Sequence, residues 1–123
     1  SHGTTPEAAD KITQADFRID LAGSNAGTLY GRGIYFGESS AKSDEYSQSD
    51  HRGLSPMLIC RVCLGRIKYT DEAFPAPDGL VQSCVTGESH SVLGDRDLTL
   101  FESYFAFLFV LFPLFSQFFV CDC

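Results

Sequence analysis

The chain is short of basic residues. Its 123 residues contain 9 Lys and Arg against 16 Asp and Glu, which gives a formal net charge of -7 at pH 7. A protein that binds the phosphate backbone of a nucleic acid needs clustered Lys and Arg. We therefore expect no direct binding of nucleic acid by this segment, and any such dependence would belong to other parts of a longer protein.

The chain also lacks a Cys and His cluster with metal-ligand spacing. Cys60 and Cys63 are spaced as in a zinc knuckle, but they fall in an apolar strand pattern, where residues three apart point to opposite faces. No second pair completes the set, since Cys84 stands alone and the last two of the five Cys lie in a divergent C-terminal segment. We predict no metal site and interpret the cysteines as buried structural thiols. Their odd number favours a reducing compartment, so we expect an intracellular protein of nucleus or cytoplasm.

No internal repeat or long linker divides the chain, which has the length of one small domain. Thr5 and Pro6 predict a helix start, with Thr5 as N-cap and Pro6 at the first helical position. The apolar stripe of that helix is formed by Ala8, Ala9 and Ile12. Residues 57–69 carry the longest strand pattern, with Gly65 as a bulge or kink. Residues 70–89 are predicted to form a long loop.

The most informative segment, 30–36, reads Tyr-Gly-Arg-Gly-Ile-Tyr-Phe. Its two glycines let the backbone turn tightly or approach a ligand, and 34–36 then favour a short strand. The segment is not the Gly-x-Gly-x-x-Gly nucleotide fingerprint, because Phe36 stands at the third glycine position. The pattern therefore predicts a tight turn that leads into a strand bearing Tyr35.

A short helix is predicted over 40–46, opened by Ser39 or Ser40 as N-cap. The three-residue spacing of Ser43 and Tyr46 places both side chains on one helical face. A hydroxyl beside an aromatic ring suits a flat heteroaromatic amide such as nicotinamide. In that arrangement the ligand ring stacks on Tyr46 and its amide oxygen accepts a hydrogen bond from Ser43.

These motifs, in this order, resemble the catalytic domain of the poly(ADP-ribose) polymerases, which are diphtheria-toxin-like ADP-ribosyltransferases. No single tripeptide is specific, but the ordered set is. The resemblance rests on His-Gly-Thr at 2–4 and on the segments 17–19, 21–27, 30–36, 42–46, 57–62 and 90–96. It implies an α+β ADP-ribosyltransferase fold, with an antiparallel or split β-sheet and short helices, incomplete at both ends. The partial catalytic domain would occupy residues 1–96.

The resemblance also implies roles for individual residues. His2 would bind the adenosine ribose of NAD+, and Gly3 would meet the nicotinamide amide through its backbone. Tyr35 would be the second member of a catalytic His-Tyr-Glu triad. Ser43 and Tyr46 would hold nicotinamide, Arg18 would lie near the adenosine end, and residues 19–28 would form the loop that covers the bound donor.

The segment 97–123 departs from the family pattern. Eight of the 11 Phe lie in it, and 105–120 carry no charge. Glu102 lies near the expected position of the triad glutamate, although a few residues early. We keep it as a candidate for the triad; the alternative is an isolated acid at the edge of an apolar segment. We expect this divergent hydrophobic tail not to complete the sheet of the domain, since a strand of the family type should alternate.

The residues of the tail leave three interpretations open, namely a membrane-spanning helix, a strand or helix of the domain, and sequence that does not belong to the domain. Residues 104–120 approach the length of a membrane-spanning helix, but Pro113 and the pair Ser116-Gln117 interrupt them and no basic residue flanks them. The run is apolar on every face, so its period indicates neither a strand nor an amphipathic helix. The interpretation that we favour is sequence that does not belong to the domain.

The function implied by the resemblance is transfer of ADP-ribose from NAD+ to a protein acceptor, with release of nicotinamide. The upstream strands and the glutamate strand of the family are not recognisable here, so we expect this 123-residue chain to be inactive. Two alternatives are kept. One is a non-catalytic module that binds NAD+ or ADP-ribose, and the other is an interaction protein tethered to a membrane through 104–120.

Overall fold

The computed structural model of the protein describes residues 1–21 and 29–95, together with the backbone of two strands at 107–111 and 119–121. The described helices are α1 (Pro6–Gln14), α2 (Ser40–Asp44) and α3 (Pro77–Val85), with a single 3-10 turn at Ile19–Leu21. The strands are β1 (His2–Gly3), β2 (Ile34–Gly37), β3 (Met57–Leu58), β4 (Cys60–Val62), β5 (Ile67–Thr70), β6 (Ser91–Asp95), β7 (Phe107–Leu111) and β8 (Phe119–Cys121).

The first two helices begin where their capping residues predict. The Thr5 hydroxyl accepts a hydrogen bond from the Ala8 backbone N–H at 3.1 Å, and Pro6 opens α1. At α2 the cap is Ser39, whose hydroxyl accepts from the Ala41 N–H at 3.2 Å. Such caps satisfy backbone donors that the first helical turn leaves without partners. Both predicted helix starts are confirmed.

The strands form one larger sheet and two small pairs. The larger sheet has the order β2-β7-β6-β5, in which β5 and β6 run parallel and the other neighbours antiparallel. The small pairs are β1 with β3 and β4 with β8, both antiparallel. The described fold therefore combines short helices with split sheets, as expected, but its largest sheet is mixed rather than wholly antiparallel.

The position of β7 corrects the expectation for the C-terminal segment. This strand lies between β2 and β6 and pairs with both, so part of the segment does complete the sheet. A strand inside a sheet can be apolar throughout, and its sequence then shows no alternation. Within the described residues, no helix has the length and apolar character needed to cross a membrane.

Two further expectations about local structure were wrong in part. The strand pattern of 57–69 is divided among β3, β4 and β5 instead of forming one strand, although the kink expected at Gly65 is present, with a φ of 61° before β5 begins. The loop expected over 70–89 contains α3, which Pro77 opens. Leu80 and Cys84, one helical turn apart, are both buried. The free energy gained by burying that helical face exceeds the cost of the Pro and Gly residues to helix formation.

Two groups of buried side chains form the described core. Tyr30, Leu80, Cys84 and Val92 pack where α3 covers the sheet. The second group is Ile34 and Phe36 of β2, against which Phe17, Ile19, Cys60 and Val62 pack. Among the described cysteines only Cys84 is buried, while Cys60 is half-buried and Cys63 exposed. The interpretation of the cysteines as buried thiols is therefore wrong for Cys63.

Candidate functional site

The site begins with the short strand β1, which β2 and β3 hold on its two sides. The Gly37 N–H donates to the Ser1 carbonyl at 2.8 Å, and the Ser1 nitrogen donates to the Gly37 carbonyl at 2.5 Å. On the other side His2 pairs with Leu58 and Gly3 with Met57. Backbone hydrogen bonds therefore hold the segment that carries His2 and Gly3 on both sides.

His2 is oriented by one hydrogen bond and two aromatic rings. Its Nδ1 lies 2.8 Å from the Tyr35 carbonyl oxygen, and its ring centroid lies 5.0 Å from that of Phe17 and 5.7 Å from that of Phe36. A carbonyl oxygen can only accept, so Nδ1 carries the proton and Nε2 of the neutral ring is an acceptor. The imidazole is thus prepared to receive a hydrogen bond from a ligand hydroxyl.

Burial lowers the pKa of His2 below its ordinary value of 6.5, although the hydrogen bond to the Tyr35 carbonyl acts in the opposite direction. The folded protein therefore holds the neutral ring, with its Nε2 acceptor, at neutral pH. The unfolded chain binds a proton more readily than the folded one, so stability is lost when His2 is protonated.

We expect the His2 ring to titrate below pH 6.5 in NMR spectra of the folded protein. Its contribution to stability should be fully present above pH 6.5 and should fall as the pH drops from there through the folded-state pKa. Thermal unfolding of wild type and His2→Gln across this range tests the sign. If His2→Gln unfolds with an unchanged pH dependence, burial of the neutral imidazole is not the cause.

Tyr35 is anchored through its hydroxyl to the glycine turn of 30–33. The hydroxyl donates to the Gly31 carbonyl at 2.5 Å and accepts from the Tyr30 N–H at 3.2 Å. Gly31 has a φ of 98°, a conformation that L side chains rarely adopt, so the turn that receives the hydroxyl requires this glycine. Burial raises the pKa of Tyr35 to about 12, and the nearby Tyr46 also raises it. Tyr35 is therefore a neutral, fixed ring and not an acid or base at neutral pH.

Ser43 lies directly beside β1. It is buried, its hydroxyl donates to the Ser1 carbonyl at 3.0 Å, and its Oγ lies 2.8 Å from the Ser1 Oγ. A Cβ at Gly3 would lie 1.8 Å from the Ser43 carbonyl oxygen, and one at Gly37 would lie 2.8 Å from its Oγ. Both glycines are therefore needed for α2 to pack this closely against the two strands.

Tyr46 follows α2 and remains 43% exposed. Its N–H donates to the Ser43 carbonyl at 3.1 Å, which continues the helical turn. Lys42, which forms an ion pair with Glu45, places its Nζ 5.6 Å from the centroid of the Tyr46 ring. The cation is within the range of a cation–π contact, so it limits the orientations of a ring that is otherwise accessible.

The remaining predicted residues lie further out or outside the described part of the chain. Arg18 forms an exposed ion pair with Asp20, with 2.5 Å between Nη2 and Oδ2, and this pairing lowers the pKa of the Asp20 carboxyl. Of the predicted donor loop, 19–21 form the 3-10 turn, while 22–28 are not described. Glu102 also falls outside the described residues. The structure thus brings together His2, Gly3, Tyr35, Ser43 and Tyr46.

Two contributions escaped the sequence interpretation. Ser1 is the hydrogen-bond partner of Ser43, and Phe17 and Phe36 enclose the His2 ring. The two phenylalanines themselves contact each other edge to face, with 5.2 Å between centroids. Their separation in sequence gives no signal of this contact, which depends on β1 lying beside β2. In the described part of the chain, no group of three or more His, Cys, Asp or Glu could hold a metal ion.

Comparison with known proteins shows the family to which the chain belongs. The model of the poly(ADP-ribose) polymerase catalytic domain matches residues 1–97, and the chain belongs to that family. The chain is 35% identical over 71 residues to "Poly [ADP-ribose] polymerase tankyrase" of Caenorhabditis elegans, a match that covers 57% of this chain and 3% of the relative. It is 32% identical over 78 residues to "Protein mono-ADP-ribosyltransferase PARP10" of Mus musculus, covering 62% of this chain and 8% of the relative.

The chain therefore matches only a small part of the length of these relatives. No solved structure matches it significantly. Family membership implies the ADP-ribosyltransferase fold, and the observed combination of short helices with short, split sheets is consistent with a portion of it.

Proposed function

We propose that this domain binds NAD+ and serves in the transfer of ADP-ribose to protein acceptors, with release of nicotinamide. The observation that carries the proposal is the meeting of His2, Gly3 and Ser43 where α2 packs against β1 and β2. The neutral imidazole offers Nε2 as an acceptor, which fits a ribose hydroxyl. The accessible ring of Tyr46 fits the flat nicotinamide group.

Different residues of the chain would bind the two halves of the ligand. His2 would hold the adenosine ribose, while Tyr46, Ser43 and the Gly3 backbone would hold nicotinamide. To bind nicotinamide, the Ser43 hydroxyl would have to exchange its hydrogen bond to the Ser1 carbonyl for one to the ligand. Tyr35 would keep His2 in place through its carbonyl and would present a fixed neutral ring.

Breaking the nicotinamide–ribose bond of NAD+ places positive charge on the ribose in the transition state. A catalytic domain must hold the departing group in place and stabilise that charge. Tyr46 and Ser43 can contribute to the first task. For the second a carboxylate is needed, and the described hydrogen-bond partners of His2, Tyr35 and Ser43 include none. Glu102 remains the candidate of this chain.

We expect Tyr46→Ala to weaken the binding of NAD+ or a benzamide ligand by about 1 to 3 kcal/mol, the scale of a lost aromatic contact at a binding hot spot. Isothermal titration calorimetry measures the change. The matched control is Tyr69→Ala, which removes a similarly exposed tyrosine from β5, at the opposite edge of the larger sheet from β2. Equal affinities of wild type and Tyr46→Ala would remove Tyr46 from the site.

The second candidate is a module that binds NAD+ without turning it over, and it is kept because no carboxylate is among the described hydrogen-bond partners of His2, Tyr35 and Ser43. We expect the 123-residue chain to bind NAD+ but to transfer no label from it to itself or to added protein. Mass spectrometry and release of labelled nicotinamide measure this. Transfer that Glu102→Gln abolishes, with folding retained, would instead make Glu102 the triad carboxylate and the chain an active transferase.

A further inference from the structure

Two cysteines occupy facing positions on paired strands. In the antiparallel register of β4 and β8, Cys60 lies opposite Cys121, and Arg61 opposite Val120. Directly opposed residues of an antiparallel pair have Cα atoms about 4.5–5.5 Å apart. A disulfide bond requires a Cα separation of about 4.4–6.8 Å. The register of these two strands therefore meets the distance requirement for a bond between Cys60 and Cys121.

The other described cysteines do not share this position. Cys63 is exposed and lies beyond the end of β4. Cys84 is buried in α3, where its Sγ lies 3.2 Å from the Ser89 Oγ. Cys60, by contrast, is half-buried and packs against Ile34 and Phe36. Only the β4–β8 register pairs two cysteines within the described part of the chain.

We propose that Cys60 and Cys121 are an oxidisable pair, which a low-molecular-weight disulfide such as oxidised glutathione converts into a cross-strand bond. One protein thiolate attacks a sulfur of the reagent and releases one reagent thiolate, leaving a mixed disulfide. The second protein thiolate then displaces the other reagent thiolate. The reagent disulfide is reduced to two thiols, the two cysteines are oxidised to one disulfide, and the two protein thiol protons pass to the released thiolates.

The bond has a clear structural consequence. It ties β8, a strand of three residues, covalently to β4 and closes a loop that contains β5, α3, β6 and β7. Closing a loop of this length removes conformational freedom mainly from the unfolded chain. The strand β7 lies inside that loop, so oxidation stabilises the larger sheet as well as the small β4–β8 pair. In a reducing compartment such a bond is transient and reports the redox state.

The test is disulfide mapping of the folded 123-residue chain after incubation with oxidised glutathione. Remaining thiols are alkylated, and the protein is digested with trypsin without reductant. Because Arg61 separates Cys60 from Cys63, and no Lys or Arg follows Arg96, the proposed bond joins peptide 53–61 to peptide 97–123. We expect this cross-linked pair to dominate and the unfolding midpoint to rise by about 10 °C.

Single variants assign the bond within these peptides. Cys123→Ser and Cys63→Ser should retain both the cross-link and the rise in midpoint, and Cys121→Ser should lose both. If Cys121→Ser does not fold, Cys121→Ala serves in its place, with folding judged by circular dichroism. The proposal fails if the cross-link survives loss of Cys121 through Cys123. It also fails if peptide 62–66 is joined in equal yield, or if the folded protein gives only glutathione adducts.

Discussion

Removal of residues 97–123 is expected to abolish cooperative folding of the domain. Each residue of β2 has a register partner in β7, from Ile34 with Leu111 to Gly37 with Leu108, and β6 pairs with the opposite edge of the same strand. The truncated chain would leave β2 with only the backbone bonds between Gly37 and Ser1 at one end of the strand. Two strand edges would be exposed at once, which favours association between chains. If the segment did not belong to the domain, its removal would instead leave folding intact and raise solubility.

Urea unfolding followed by circular dichroism measures the effect, and size-exclusion chromatography detects association. A chain that ends at Leu111 is the matched control, because it retains β7 and, among the described strand pairs, loses β4–β8 alone. We expect this control to unfold cooperatively at a lower urea concentration than the full chain. A truncated chain of residues 1–96 that stays monomeric and folded, with undiminished ligand affinity, would contradict the central position of β7. It would restore the interpretation that the segment does not belong to the domain.

Gly3→Ala is expected to disrupt the candidate site more than any single side-chain truncation in it. The added Cβ would lie 1.8 Å from the Ser43 carbonyl oxygen and 2.7 Å from the Ser47 Oγ. The first of these neighbours is backbone, which cannot rotate away, so β1 and α2 must separate. Overpacking of this kind costs about 1–3 kcal/mol of stability. The displacement moves His2 and Ser43 apart, and NAD+ affinity should fall at least as far as in Tyr46→Ala.

The matched control is Gly79→Ala in α3, where nothing lies within 4 Å of the added Cβ. Alanine is favoured over glycine inside a helix, so this variant should gain about 0.5–1 kcal/mol and keep its ligand affinity. Denaturation and calorimetry on the same preparations separate stability from binding. Wild-type affinity in Gly3→Ala would mean that the close approach of β1 to α2 is not part of the binding site.

The parts of the fold that could be predicted from sequence depend on short-range chemistry. The starts of α1 and α2 follow from Thr5 and Ser39, whose hydroxyls bind backbone N–H groups two or three residues away. The strand β2 follows the glycine turn because Gly31 reverses the chain just before a β-branched and aromatic run. In each case the partners lie within a few residues, so a local pattern carries the information.

The errors fall where distant contacts decide the structure. The apolar run containing β7 shows no period, because neighbours on both sides, and not alternation, determine its role. The helix α3 lies in a segment rich in Pro and Gly, and it forms where Leu80 and Cys84 can be buried against Tyr30 and Val92. Local propensity is weak compared with burial of an apolar face, so tertiary contacts prevail over it.

The candidate site shows the same division. By itself the sequence determined the family, and the motifs of 2–4, 30–36 and 42–46 supplied the residues predicted for the candidate site. Only the tertiary structure decided that the His2 ring lies against Phe17 and Phe36, that the Ser43 hydroxyl meets Ser1, and that β7 fills the sheet. These contacts join residues far apart in the chain, and their geometry arises only when β1, β2 and α2 pack together.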